Sequence, residues 1–464
     1  MRSILRSIGV VALALAPAVV FAQGVQRGSG LPTPLPLFPA DNWWNVDISG
    51  APLDTNSAGF ISFIGPTRGL HPDFGAEVDP SDPNLPDVYG MIYITVPATQ
   101  PLVPVTFVEF GSQSDGGAPG RPAGYPIPDA AKTETRWIEG GTPANQSQAA
   151  NDDHMLLVDR DNRILYELYH TYWDAGQNRW EAGSGAVYPL DSNQRRPDTW
   201  TSADAAGLAI LPGLIRYDEA FGGVPIKHAF RFTVRSVNGY VYPASHNAGN
   251  TTNALPLGAR LRLKAATNIS GFTPEVQRIF QAMKTYGLIV ADNGSDMYIQ
   301  GAYDTRWNND VLNPAFSALH AADFEVVQLG WKPPVATVTG ALSLYTVTPC
   351  RLLDTRNAFG PLGGPALSQG SWRVLAAAGL CGVPVTAKAL ALNVTVATAP
   401  AAGAVSLFPG DGAPGVATSI SFGTGQTRAN NAVAKLSSSG SGTLGMVSNT
   451  GPVNVILDVT GYFQ

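Results

Sequence analysis

Residues 151–173, NDDHMLLVDRDNRILYELYHTYW, hold two runs of alternating character, His154–Asp159 and Arg163–Trp173, on either side of Asp161-Asn162. Turn formers between two strand-like runs specify a β-hairpin. A two-residue turn sets Leu156 opposite Glu167 and His154 opposite Tyr169. A four-residue turn slides the pairing by two and keeps the faces, because side chains alternate along a strand. His154, Leu156, Val158, Glu167 and Tyr169 then share one face, and Met155, Leu157, Tyr166 and Leu168 the other. The second face reads as core. The first brings an imidazole, a carboxylate and a phenol within cross-strand reach, which suits a polar cleft.

The chain around this hairpin has 464 residues, too many for one ordinary core. Only 14% are charged, 44% are hydrophobic, and glycine and proline number 50 and 37. Few charges, many turn formers and short alternating runs predict a mainly β chain. The expected architecture is a large N-terminal β-sandwich or barrel-like domain with a few short helices, then a C-terminal β-sandwich or jelly-roll domain. Residues 1–22, with Arg2 and Arg6 before an apolar stretch and small residues at the cleavage point, read as a secretory signal peptide. Residues 23–40 read as a flexible leader, 41–330 as the first domain, 331–341 as a linker stiffened by Pro333-Pro334, and 342–464 as the second domain. After the signal peptide no run approaches the ~20 apolar residues of a membrane helix. The expected localisation is extracellular.

Net charge is −6, with six Lys/Arg against three Asp from residue 342 onward. The first domain is therefore strongly acidic, which excludes nucleic acid as its partner, since a phosphate backbone calls for a basic surface. Cys350 and Cys381, the only two cysteines, are expected to pair in an oxidising compartment.

Within the first domain, Asn56 or Thr55 can cap a short helix through SAGFISFIG. A second helix is expected over 274–286, with Thr273 as cap and Val276, Ile279, Phe280 and Met283 at helical spacing. Residues 71–90 read as a long loop in which Asp79, Asp82 and Asp87 serve turns. Thr201 or Ser202 is expected to cap a helical turn at ADAAGLA.

The C-terminal text contains TPCRLLDTR (348–356), LCGVP (380–384), ALALNVTV (389–396), RANNAVAKL (428–436) and DVTGYF (458–463). In these ordered motifs it resembles an accessory β-domain of secreted soil-bacterial proteins. The resemblance covers about a quarter of the chain and implies attachment, binding or export. The N-terminal part resembles only uncharacterised secreted bacterial proteins, so it carries over no catalytic residue.

All six histidines precede the linker, so the chemistry is expected there. Three arrangements compete with plain structural hydrogen bonding of the same residues. In the first, Glu167 is acid or base on a sugar, with Asp152, Asp153 or Asp204 as second carboxylate. In the second, Tyr169 or His154 moves the proton of a β-elimination while Arg231 neutralises a uronate. In the third, His154, His228, His246 and Glu167 bind zinc or another transition metal. Trp173, Trp180 and Trp307, with His246, are candidate substrate contacts because an aromatic face matches a pyranose ring. Asp292-Asn293-Gly294 reads as a turn. The function expected is a secreted polysaccharide-active enzyme, hydrolase or lyase, with an accessory domain and a polysaccharide or cell-surface glycan as partner. The alternative is a non-catalytic surface, adhesion or carbohydrate-binding protein.

Overall fold

The computed structural model describes residues 24–77, 87–116, 124–147, 151–333, 341–370, 372–412, 414–415 and 417–464. Residues 1–22, expected as a signal peptide, Asp79, Asp82 and most of the expected 331–341 linker lie outside the described residues. Within them the chain is mainly strand, with short helices between several sheets.

Six strands position the site: β1 Tyr93–Val96, β2 Met155–Asp159, β3 Ile164–Tyr169, β4 Ser184–Pro189, β5 Phe230–Val234 and β6 Leu288–Asn293. The first four form one sheet in that order, with the strand Gln26–Arg27 along the β1 edge. β1 and β2 are parallel, and the other pairs antiparallel. The hairpin has the register of the two-residue turn, with Leu156 facing Glu167 and Val158 facing Leu165. Asp159 fastens that turn: its carboxylate accepts from the backbone N–H of Asp161 and Asn162 and from the Asn162 side chain.

The second run is shorter than expected. β3 ends at Tyr169, His170 takes a φ of 52°, and Tyr172–Asp174 turns off to pair with Arg179–Ala182 in another sheet. A second difference matters more. Met155, Leu157, Tyr166 and Leu168 pack on Tyr125, Trp137, Ile138 and Trp180. Leu156, Val158 and Leu165, on the other face, join a larger core with Phe230, Phe232 and Phe280. The face expected to carry a polar cleft is therefore covered as well. The physical reason lies in MLLV, apolar at every position, which is the pattern of a strand buried on both faces.

β5 and β6 are parallel neighbours inside a six-stranded sheet. The helix Pro274–Thr285 packs Val276, Ile279, Phe280 and Met283 into the same large core, as its spacing requires. The helix Ser57–Ile64 begins after Asn56. Two expectations change. His71–Asp73, read as loop, is a strand paired with Tyr298–Gln300. ADAAGLA forms turns rather than helix, held by the Ser202 hydroxyl, which accepts from the Asp204 N–H and donates to the Leu208 carbonyl.

From Leu344 onward two four-stranded sheets enclose one core, with Leu353, Leu390 and Leu457 from one sheet and Leu375, Val405 and Met446 from the other. Cys350 and Cys381 are disulfide-bonded with a Cα separation of 5.5 Å.

Candidate active site

A cavity of about 270 Å³ opens where the end of β3, the segment 201–205, His246 and the end of β6 converge. Glu109, Asp152, Asp204 and Asp292 line it together with Tyr169 and His246. Two non-glycine residues at its rim, Asp153 and His170, have φ values of 41° and 52°. The chain crosses there, with the His170 N–H on the Asp152 carbonyl at 2.6 Å. Positive φ at such residues costs about 1–3 kcal/mol each and collects at functional sites.

Beneath the cavity lies Arg231 of β5, 2% exposed. Its Nε and Nη2 are each 3.0 Å from an oxygen of Asp204, and the same Nη2 is 3.4 Å from Asp292. Two carboxylates thus meet at one guanidinium nitrogen. A β-bulge makes this possible: the register passes from Phe232–Val290 to Thr233–Asp292, skipping Ala291. Asp204 is fully buried with both oxygens on the guanidinium. Asp292 keeps 24% of its side-chain surface. Burial and the neighbouring Asp204 charge raise Asp292 to about 7, against the pull of Arg231. A carboxyl reached by water and half-protonated near neutrality suits proton transfer.

The walls add further groups. His246 places Nδ1 at 2.9 Å from the Ala205 carbonyl. That nitrogen must carry the hydrogen, and among the described residues nothing bonds Nε2. Glu109 accepts from His170 Nδ1 at 2.6 Å. The Tyr169 phenol is raised above its ordinary value, by burial first and then by Asp152, Glu109 and Asp292.

The other expected site residues lie elsewhere. Glu167 is 0% exposed and accepts from the backbone N–H of Ile210 and Leu211 at 2.8–3.0 Å. Burial raises it to about 7 against those two donors. His154 is 2% exposed, with Nδ1 at 2.5 Å from Glu139 and Nε2 at 2.8 Å from the Ala203 carbonyl. Burial alone would lower its pKa, but the Glu139 charge and hydrogen bond raise it to about 9. Flanked by two acceptors, the ring donates from both nitrogens. His154 therefore supports the cavity wall through Ala203, whereas Glu167 holds the backbone at 210–211, outside the cavity lining.

His228 is buried against Phe230, with Nε2 at 2.9–3.0 Å from Glu219. The four-residue metal set is not assembled, and among the described residues no group of three or more His, Cys, Asp or Glu is arranged to hold a metal. Asp153 is buried on the Ser147 hydroxyl. Trp180 and Trp307 are core residues at 3% and 5% exposure. Trp173 is half-buried between Trp180 and the Lys132 ammonium. None of the three faces the cavity, because indoles this large serve the two cores first.

Asp292, Glu109 and Glu139 were not legible as site residues. For Asp292 one signal existed: LIVAD is an apolar strand that ends in an acid. For the glutamates there was none, since Glu109 reaches its histidine from a distant segment and Glu139 meets His154 only through the fold.

No family model matches the chain, and no curated protein is significantly similar to it. Among solved structures, an isomalto-dextranase of Arthrobacter globiformis T6 complexed with panose is similar over 45% of this chain and 30% of its own length. The sequence identity is 10% and the TM-score 0.13, too low to carry an argument about fold or activity.

Proposed function

We propose that the chain is a secreted hydrolase of glycosidic bonds, working by acid–base chemistry in the 270 Å³ cavity. The observation that supports this reading is the pair Asp204–Asp292, where burial and the Asp204 charge hold a water-reached carboxyl half-protonated close to neutral pH against the pull of Arg231. Asp292 protonates the leaving oxygen. Asp152, solvent-exposed on the cavity lining, is the second carboxylate and activates water. Tyr169 and the Nε2 of His246 hold sugar hydroxyls. Hydrolysis is favoured over β-elimination because Arg231, the group that would neutralise a uronate, is already occupied by Asp204 below the cavity.

The experiment is a turnover assay of the secreted chain on a polysaccharide panel, beside the Asp292→Asn and Asp152→Asn variants. Each variant should lose about a hundredfold or more of the wild-type rate, the usual worth of a positioned acid or base. Melting temperatures should stay close to wild type. Unchanged turnover in Asp292→Asn rejects the assignment.

A further inference from the structure

Asp152, Asp204 and Asp292 all have a part in the proposed hydrolysis; Glu109, the fourth carboxylate of the cavity, has none. Its position is nonetheless fixed. Gly183 donates its N–H to the Tyr169 carbonyl and accepts from the Phe110 N–H, both at 2.8 Å, so its backbone joins the segment carrying Glu109 to the end of β3. A Cβ at Gly183 would stand 2.9 Å from Glu109 Oε1 and 2.8 Å from the Tyr169 ring, closer than real contacts allow. Glycine at this position therefore lets the carboxylate and the phenol ring close in on one point. His170 Nδ1 holds Oε1 at 2.6 Å. Oε2 has no hydrogen-bond partner among the described residues, and the side chain is 36% exposed, so a solute can reach it.

The charge of the lining is one-sided. Four carboxylates line the cavity, and no lysine or arginine does. Arg231, beneath it, is already engaged by both oxygens of Asp204 and by Asp292. Asp152 is exposed, and among the described residues its carboxylate makes no ion pair. Beyond the effect of burial, the charges of Asp152, Glu109 and Asp292 all raise the Tyr169 phenol, so their fields meet there. Like charges gathered in a cleft attract a soluble cation. A metal ion is a poor fit, because no group of three or more ligands is arranged for one among the described residues. An ammonium suits better: it carries three donors, and its hydrogen bonds to a carboxylate are charge-assisted. We propose that the cavity selects glycans of unacetylated amino sugars, with the Glu109 carboxylate taking the sugar's ammonium. The inference rests on the hydrolase reading for its site and names the substrate class. Acetylation would remove the charge that Glu109 recognises, and a uronate would reverse it.

Calorimetric titration of the full chain at low ionic strength and about pH 6, where carboxylates are ionised and amines protonated, tests it. The probes are the matched disaccharides of glucosamine, N-acetylglucosamine and glucose, which share one linkage and differ only in the group on the second carbon, together with digalacturonate. The Asp292→Asn chain, which should not consume the probes, is titrated beside wild type. The glucosamine disaccharide should bind about tenfold or more tighter than the glucose one, the usual worth of a hydrogen bond between charged groups. The preference should shrink as salt is added, and digalacturonate should bind weakest. Glu109→Gln should bring the glucosamine affinity down to that of glucose and leave the glucose affinity unchanged, whereas Glu109→Asp, which keeps the charge, should retain part of the preference. Should Glu109→Gln fail to fold, the wild-type ranking of the probes decides alone. No binding, equal affinity for the three matched disaccharides, tighter binding of digalacturonate, or an unaltered preference in Glu109→Gln overturns the proposal. A preference without turnover on any polysaccharide supports the amino-sugar site and removes the hydrolase reading; turnover without a preference does the reverse.

Discussion

At neutral pH His154 holds a proton that a free histidine would mostly have lost, because Glu139 outweighs the cost of burial. An unfolded histidine titrates near 6.5, whereas this one titrates at about 9. The ion pair therefore stabilises the fold fully below pH 6.5, and its contribution is lost as pH rises through 9. The linked free energy is about 3 kcal/mol at most. Melting temperatures between pH 6 and pH 10 should fall accordingly, and Glu139→Gln should flatten the slope over that range. The opposite arrangement holds at Asp292, where the protonated form is the working acid: turnover should decline as pH rises through about 7. A rate that instead climbs between pH 7 and pH 8 would remove Asp292 from the acid role. Neither pairing could be read along the chain. Glu139 and His154 are close in sequence, but only the fold aims their side chains together, and Asp204, Arg231 and Asp292 come from three separated segments.

Local chemistry was far more legible at the scale of single elements. The hairpin and its alternation of faces followed from Asp161-Asn162, which left two registers open. The helix Pro274–Thr285 followed from its apolar spacing, and the start of the helix Ser57–Ile64 from Thr55-Asn56, although Asn56 makes no side-chain capping hydrogen bond. These depend on contacts a few residues apart. Whether the second face of the hairpin is covered depends on β5 and the helix, which arrive roughly sixty and a hundred residues later. The double burial has a direct test. Leu156→Ala and Leu157→Ala empty opposite faces of β2, so each should destabilise by about 2–5 kcal/mol in denaturant titration. A solvated face would show itself as a loss in only one of the two.

Across the whole molecule, one carboxylate links the two halves. Asp41 accepts from Asn193 at 2.7 Å and from the hydroxyls of Ser441 and Thr443 at 2.7 and 3.1 Å. Lys332 adds a second link, its ammonium 4.2 Å from the Tyr242 ring and 5.5 Å from the Trp372 ring. Asp41→Ala should lower the unfolding temperature of the C-terminal sandwich in scanning calorimetry, by an amount matching about 1–3 kcal/mol. An unchanged thermogram would show that the contact is idle. The separation of β5 from β6, and of both from Asp204, has a further consequence in time. The hairpin β2–β3 closes over a short turn, whereas the carboxylate pair needs chain segments far apart to meet, and such contacts form late. During refolding from denaturant, far-ultraviolet dichroism should therefore recover first, and turnover should return only in a slower phase, when Asp292 reaches Arg231.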